Sequence, residues 1–153
     1  MLRVYLDTSV YNRPFDDQTQ PRIYLETTAL TTILQMVYGG KIDLVGSTVL
    51  DYENSRNPYQ LRRTWVLRCL GLAKCYQAAT DAVRTRARAL QDKGLKAMDA
   101  LHLACAESAG ADYFLTCDDR VVKRGEVTGL RVMNPVVFVL QMAEGQSDSN
   151  SSP

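Results

Sequence analysis

The apolar and polar positions of the chain alternate between short apolar runs and longer amphipathic segments. Four runs are apolar on both faces, as is typical of strands inside a parallel sheet: Leu2–Leu6, Ile42–Val45, Tyr113–Leu115 and Leu130–Met133. Between them, apolar residues recur at helical spacing. Strands that alternate with helices predict an α/β fold, a three-layer α/β/α sandwich with a central parallel sheet of four or five strands.

The helical segments are marked by apolar stripes and by the residues at their ends. The first begins at Pro21 and ends at Gly39-Gly40, and Glu26 lies within its apolar stripe, an unusual place for a solvated carboxylate. Further helices are predicted in these segments: a short one that carries Asp51 and Glu53, one after Asn57-Pro58, one after Thr80, Met98–Ala109 and Pro135–Met142. Val10–Gln20 is predicted to be a loop. Residues 1–143 are predicted to form one domain, and the small polar residues of 144–153 a disordered tail.

The segment from Met98 to Asp119 combines buried elements with carboxylates. Its helix is apolar almost all the way round, which indicates a buried helix, yet Asp99 lies in the first turn. The following apolar strand leads into Thr116, Asp118 and Asp119. Carboxylates that border buried elements are costly unless something pairs with them, and a divalent cation would do so.

Four carboxylates are candidates for one metal-binding site: Asp7, Glu53, Asp99 and Asp118. Active sites of parallel sheets form beyond the carboxyl ends of the strands, so residues that follow different strands are expected to gather at one edge. Oxygen ligands suit Mg²⁺ or Mn²⁺. The hydroxyls of Thr8, Ser9 and Thr116 are candidates to orient the carboxylates. Without metal, at least one carboxylate should have a raised pKa because of repulsion.

Each of these residues also has a purely structural interpretation. Asp7 and Asp118 follow strands and would serve as helix caps, Asp99 would complement a helix dipole, and Glu53 would be solvated. Capping alone explains neither the convergence nor a carboxylate in so apolar a helix. His102 lies one turn after Asp99 on the same face. A general base is conceivable there, but the pattern favours a buried histidine bonded to a carboxylate or carbonyl.

Composition adds little to this picture. The eighteen basic and seventeen acidic residues nearly cancel, so net charge does not indicate a nucleic-acid binder. Of the basic residues, Arg56 and Arg120 lie near Glu53 and Asp118 in the sequence and are candidate substrate contacts. Four cysteines without C-x-x-C spacing and a single histidine favour free thiols over a zinc site. Neither a signal-peptide core nor a membrane-spanning apolar run is seen, so a cytoplasmic protein without membrane contact is expected.

Three segments together resemble the PIN-domain family, which includes the VapC-type toxins of bacterial toxin–antitoxin pairs. They read YLDTSVYNRPFDD, STVLDYENSRNP and KAMDALHLACAESAGADYFLTCDDRVVKR. The resemblance extends from about Met1 to Met142. Its motifs are specific as a set: D-T-S after the first strand, S-x5-E, D-A-L-H-L-A and T-x-D. Position by position, the resemblance matches the family's acidic quartet to Asp7, Glu53, Asp99 and Asp118.

The resemblance also bears on individual roles. Asp7, Asp99 and Asp118 would hold the metal. The T-x-D spacing favours Asp118 over Asp119 as the residue that faces it. Glu26 would be an auxiliary carboxylate, although a charge on the flank of its helix is the favoured interpretation. Asp119 is the other auxiliary candidate.

The resemblance implies a Mg²⁺- or Mn²⁺-dependent endoribonuclease, the toxin of a type II toxin–antitoxin pair. Its implied partners are RNA, an antitoxin peptide or helix in a groove near the acidic site, and a second copy of the chain. The alternative is a catalytically inactive PIN-like module that binds RNA or protein, against which a complete quartet argues. Receiver or phosphatase classes are disfavoured because no lysine follows a late strand as they require. No G-x-x-x-x-G-K or G-x-G-x-x-G motif supports a nucleotide cofactor.

Overall fold

A parallel sheet forms the centre of the molecule. The computed structural model describes the backbone of residues 1–151 and the side chains of residues 1–145. Its strands are β1 (Leu2–Leu6), β2 (Ile42–Ser47), β3 (Cys75–Gln77), β4 (Tyr113–Leu115) and β5 (Arg131–Met133). They pair in the order β3-β2-β1-β4-β5, and each pair is parallel. The predicted α/β class with a parallel sheet is confirmed.

Helices connect the strands and flank the sheet. They are α1 (Thr8–Asn12), α2 (Pro21–Tyr38), α3 (Thr48–Ser55), α4 (Gln60–Leu70), α5 (Asp81–Asp92), α6 (Ala97–Ser108), α7 (Asp119–Arg124) and α8 (Pro135–Ser151). The chain moves outward from β1 to β3 and then returns to the other side of β1. Because crossovers between parallel strands are right-handed, this reversal puts helices on both faces of the sheet.

The centre of the sheet is fully buried. Val4, Tyr5 and Leu6 of β1 are inaccessible to solvent, and Tyr5 stacks on Phe114 of β4 with ring centroids 5.2 Å apart. β1 and β4 pair so that Leu6 lies opposite Leu115. Their carboxyl ends therefore finish side by side, and the residues that follow the two strands are neighbours.

Several local predictions were wrong. β3 was not predicted, because its three residues are partly exposed at the sheet edge and form no apolar run. The predicted loop Val10–Gln20 instead begins inside α1 and continues through a 3-10 turn at Arg13–Phe15. α7 was also missed. Asn57 and Pro58 were expected as the cap and first turn of the next helix, but α4 begins only at Gln60, because the Asn57 side chain accepts a hydrogen bond from the Tyr59 N–H and forms a turn first.

The last helix is longer than predicted. α8 begins at Pro135 as expected but continues beyond Met142 to Ser151. The limit of the domain at residue 143 and the disorder of 144–153 stay predictions, and residues 152–153 lie outside the described residues.

Two further features concern the whole chain. The four cysteines are free, as predicted. Among the helices that the structure describes, none combines the length and the apolar character needed to cross a membrane.

Candidate active site

Asp7 lies at the junction of β1 and α1, where the sheet reverses its strand order. It occupies the cap position of α1, but its side chain makes no capping hydrogen bond. Its Oδ2 instead accepts hydrogen bonds from Thr116 Oγ1 at 2.8 Å and from Ser9 Oγ at 3.1 Å. Asp7 as a whole is 8% exposed. Capping therefore does not account for Asp7, and two hydroxyls that the sequence singled out hold its orientation.

The third predicted hydroxyl behaves differently. Thr8 Oγ1 is buried and has no hydrogen-bond partner at good geometry in the described part of the chain, although the Thr8 side chain faces Glu53 closely enough to help lower the pKa of that carboxylate. Its backbone carbonyl accepts a hydrogen bond from Asn12 Nδ2 at 3.0 Å. No contact of the Thr8 side chain with Asp7 is seen, in contrast to Ser9 and Thr116.

Glu53 and His102 form a pair beside Asp7. Glu53 Oε1 lies 3.1 Å from His102 Nε2, and His102 is 1% exposed. The prediction of a buried histidine bonded to a carboxylate is confirmed. One ligand atom each of Asp7, Glu53 and His102 lie within 4.8 Å of one another, a spacing that could hold a metal ion. His102 is thus the member of this group that the predicted set of ligands left out, although its spacing from Asp99 already put it on the same helix face.

Glu53 and His102 each shift the pKa of the other. Burial by itself raises the pKa of Glu53, but the hydrogen bond and charge of His102 outweigh burial and hold that pKa below its ordinary value. Burial by itself lowers the pKa of His102, but the hydrogen bond with Glu53 and the charges of Asp7 and Asp99 raise it above its ordinary value. The acidic surroundings therefore favour an ionised Glu53 and a proton on His102.

Asp99 lies in the first turn of α6, one turn before His102. Burial raises its pKa, and the negative charges of Asp7 and Asp118 raise it further. The predicted carboxylate with a raised pKa is therefore present. Asp99 shares a small cleft with Asp118, Lys96 and Arg120, although neither it nor Asp118 belongs to the tight group around His102.

Asp118 has a capping role. Its Oδ1 accepts a hydrogen bond from the Arg120 N–H at 2.9 Å at the start of α7, and the Arg120 guanidinium lies 3.3 Å from its carboxylate. Burial raises the pKa of Asp118, but these interactions with Arg120 outweigh it and lower that pKa. The other basic candidate, Arg56, is exposed and donates a hydrogen bond to the Tyr52 hydroxyl at 3.2 Å.

The two auxiliary carboxylates face other partners. Glu26 is fully buried and accepts hydrogen bonds from Arg13, Arg22 and Asn134, so the interpretation as a charge on a helix flank was wrong. Its burial needs these partners, because an unpaired carboxylate would be too costly there. Asp119 is paired with both terminal nitrogens of Arg22. It is Asp118, and not Asp119, whose charge acts on Asp99.

The donor set at this edge of the sheet is made of carboxylate oxygens and one imidazole. Burial raises the pKa of Asp99, and the like charges of Asp7 and Asp118 raise it further, so a cation beside Asp99 would offset an unfavourable charge. Carboxylate oxygens suit Mg²⁺ and Mn²⁺. The residues present therefore fit a divalent cation.

Comparisons with known proteins agree with this geometry. The sequence pattern of the PIN domain matches residues 4–127, and the chain belongs to the PIN domain family. Its fold is similar to a chain of FitAcB from Neisseria gonorrhoeae, with a TM-score of 0.54 and 18% identity over 86% of this chain and 97% of that one. It is also similar to a chain of VapBC2 from Rickettsia felis, solved bound to a DNA fragment from their promoter, with a TM-score of 0.57 and 14% identity over 87% of this chain and 98% of that one.

A third solved structure with a similar fold is PAE2754 from Pyrobaculum aerophilum. It has a TM-score of 0.55 and 14% identity over 94% of this chain and 90% of that one. At these identities the likeness concerns the fold. None of the curated proteins compared with this sequence matches it.

Proposed function

We propose that this protein is a Mg²⁺- or Mn²⁺-dependent endoribonuclease and the toxin of a type II toxin–antitoxin pair. The observation that carries the proposal is the meeting of Asp7, Glu53 and His102 at the point where the strand order reverses, with Asp99 in electrostatic contact. Ligands of open parallel sheets bind at such points. Membership of the PIN domain family supports a nuclease.

Each residue of the candidate site would have a separate role in cleavage. Asp7, Asp99 and Asp118 would hold the ion, which when bound supplies an activated water and neutralises charge on the phosphodiester. Ser9 and Thr116 hold the orientation of the Asp7 carboxylate through their hydrogen bonds to Oδ2. Glu53 would accept a proton from the attacking water through the oxygen that His102 leaves free. Arg120 would move from Asp118 to a phosphate oxygen of the RNA.

The experiment that tests this activity is cleavage of a mixed RNA pool by the purified chain, with Mg²⁺ or Mn²⁺ and with a chelator. The parent should cut only with metal. Asp7→Asn keeps size and removes charge, so cleavage should fall by orders of magnitude. Asp119→Asn is the matched control, because its carboxylate faces Arg22, and it should cut like the parent. Metal binding without cleavage by the parent would instead support the inactive binding module.

The toxin part of the proposal has its own test. The named complexes FitAcB and VapBC2 have chains with this fold, which is consistent with a partner for this chain. We expect an antitoxin peptide or helix near the acidic site and a homodimer of the chain. Expression of the parent, but not of Asp7→Asn, should arrest cell growth, and coexpression with an adjacent small reading frame should relieve the arrest. Unchanged growth, with no small protein copurified, would contradict the toxin role.

A further inference from the structure

Two exposed tyrosines lie on the helix that carries Glu53 or shortly after it. Tyr52 is 50% exposed and directly precedes Glu53 on α3, and Tyr59 is 60% exposed just before α4 begins. Exposed aromatic rings are common in folded proteins, so exposure alone gives these two rings no role. Their surroundings distinguish them from other exposed tyrosines of the chain.

Each of the two rings has an arginine beside it. The guanidinium carbon of Arg56 lies 5.6 Å from the centroid of the Tyr52 ring, and Arg56 donates a hydrogen bond to the Tyr52 hydroxyl at 3.2 Å. The guanidinium carbon of Arg62 lies 4.7 Å from the centroid of the Tyr59 ring. Within residues 1–145, all ion pairs involve other arginines or His102, so no carboxylate neutralises these two guanidinium groups. Both pairs therefore combine an exposed ring with an unpaired positive charge.

Both pairs are attached to segments that border the candidate carboxylates. Tyr52 lines an apolar cleft together with Met98, the residue before Asp99. Arg62 donates a hydrogen bond to the Phe15 carbonyl at 3.4 Å. Phe15 ends the turn that follows α1, and α1 begins directly after the first candidate carboxylate. A polymer that enters the candidate site therefore has these two pairs as neighbouring surface.

We propose that Tyr52 and Tyr59 form a base-binding surface on which two unpaired RNA bases stack, while Arg56 and Arg62 hold the adjoining phosphates. Every base has a flat π face, so stacking on an aromatic side chain binds single strands with little regard to sequence. Arginine attracts phosphate and offsets the repulsion between RNA and the carboxylates of the site. Bases of a duplex are already stacked and do not offer their faces. The proposal rests on the proposed ribonuclease function, because the surface serves the same site.

Binding to this surface can be measured apart from cleavage. A short fluorescent uridine RNA and an RNA duplex of the same length are each titrated with the purified chain in the presence of a chelator, which prevents metal-dependent cleavage. Tyr52→Leu and Tyr59→Leu remove a ring but keep an apolar side chain. Each should weaken binding of the single strand about 10-fold. Neither should change the affinity for the duplex. Equal losses on both RNAs, or no loss on either, would overturn the proposal.

Tyr38 and Lys41 provide matched controls at the opposite edge of the sheet. Tyr38 is 84% exposed at the end of α2, and Lys41 is exposed directly before β2 begins. Tyr38→Leu should bind the single strand like the parent. Each lost phosphate contact reduces the slope of log affinity against log salt concentration by about 0.7 for single strands. Arg56→Gln should show this reduction and Lys41→Gln should not, and equal slopes for the two variants would contradict a phosphate contact at Arg56.

The base-binding surface and the proposed ribonuclease activity can fail separately. If the tyrosine variants lose affinity for single-stranded RNA but the parent cuts no RNA with Mg²⁺, the surface is retained and the activity is refuted. If the parent cuts RNA and both variants bind RNA like the parent, the activity is retained and the surface is refuted. Variants that keep their RNA affinity but no longer copurify with a small protein would assign the surface to a protein partner and overturn the proposal.

Discussion

Among the single residues, Asp99 lies in surroundings that disfavour its negative charge. A carboxylate that merely complemented a helix dipole would have its pKa lowered by the helix N-terminus. The pKa of Asp99 is raised instead, first by burial and then by the charges of Asp7 and Asp118. The first turn of α6 therefore holds a carboxylate whose charge is a cost in the metal-free fold.

This cost predicts how Asp99→Asn behaves without metal. The folded pKa of Asp99 lies above its ordinary value of 3.8, so the folded chain holds the proton more tightly than the unfolded chain. The parent should lose stability relative to the variant as pH rises from about 3.8 through the folded pKa. At neutral pH the variant should be at least as stable as the parent, and the parent should recover its deficit in acid.

Urea unfolding of both chains at several pH values, in the presence of a chelator, measures this difference. The contrary result is a variant that is less stable by about 1 kcal/mol at neutral pH, the loss typical of a helix-end interaction.

The positions of single residues could be predicted from the sequence where a residue directly follows a strand. Ser9 and Thr116 were singled out because they follow β1 and β4, and both contact Asp7. The burial of His102 against a carboxylate followed from its place in a helix that is apolar almost all the way round, one turn after Asp99. The partners of Glu26 were not predictable, because Arg13 and Asn134 reach it through tertiary packing that no local pattern encodes. Which carboxylates bind metal stays a prediction.

At the scale of elements, one arginine ties α2 to the turn that carries Asp118. Arg22 donates to Glu26 within α2, to the carbonyl of Cys117 and to both carboxylate oxygens of Asp119. The two carboxylates differ in burial, because the Glu26 side chain is fully buried whereas that of Asp119 is 73% exposed. The same arginine thus makes one buried and one solvated ion pair.

The difference in burial predicts unequal costs. Glu26→Gln removes a buried charge from between two arginines and should destabilise the fold by about 3 kcal/mol. Asp119→Asn removes a solvated charge and should cost about 0.5 kcal/mol or less. Urea unfolding at neutral pH measures the loss in free energy of unfolding for each variant. Equal losses of stability in the two variants would contradict the expectation that burial decides the cost of removing each charge.

The strands and helices that bury many apolar residues were predicted from the sequence, and those that bury few were missed. β1 and β4 have buried apolar residues, and their bounds matched the apolar runs. β3 lies at the sheet edge with Tyr76 60% exposed, so hydrogen bonds to β2 define it rather than its side chains. α7 buries Val121 alone along its short length, which leaves no helical stripe to detect.

At the scale of the molecule, the strand order explains why distant residues meet. Alternating strands and helices predicted a parallel sheet, but not which strands are neighbours. Because β4 returns to the side of β1 opposite β2, Asp7 comes to lie between Thr116 and the helix that carries Glu53. The reversal opens a crevice at the carboxyl ends of these strands. Local sequence patterns contain no information on the order of the strands. The sequence could therefore predict only that residues following the strands gather at one edge of the sheet.

The whole molecule should therefore respond to metal as one cooperative unit. A ligand that binds only the folded chain stabilises it by mass action, about 2.7 kcal/mol at a hundredfold excess over its dissociation constant. For a chain of this size, Mn²⁺ should raise the melting temperature of the parent by roughly 5–10 °C. Asp7→Asn should lose most of this shift, because Asp7 lies in the tight group with Glu53 and His102.

Asp119→Asn is the matched control and should keep the shift, because its carboxylate faces Arg22. Melting curves of the three chains with and without Mn²⁺ measure these shifts. A parent that melts at one temperature in both buffers would leave the carboxylates with a structural role, since a cation site at the centre of the fold cannot be filled without stabilising the fold.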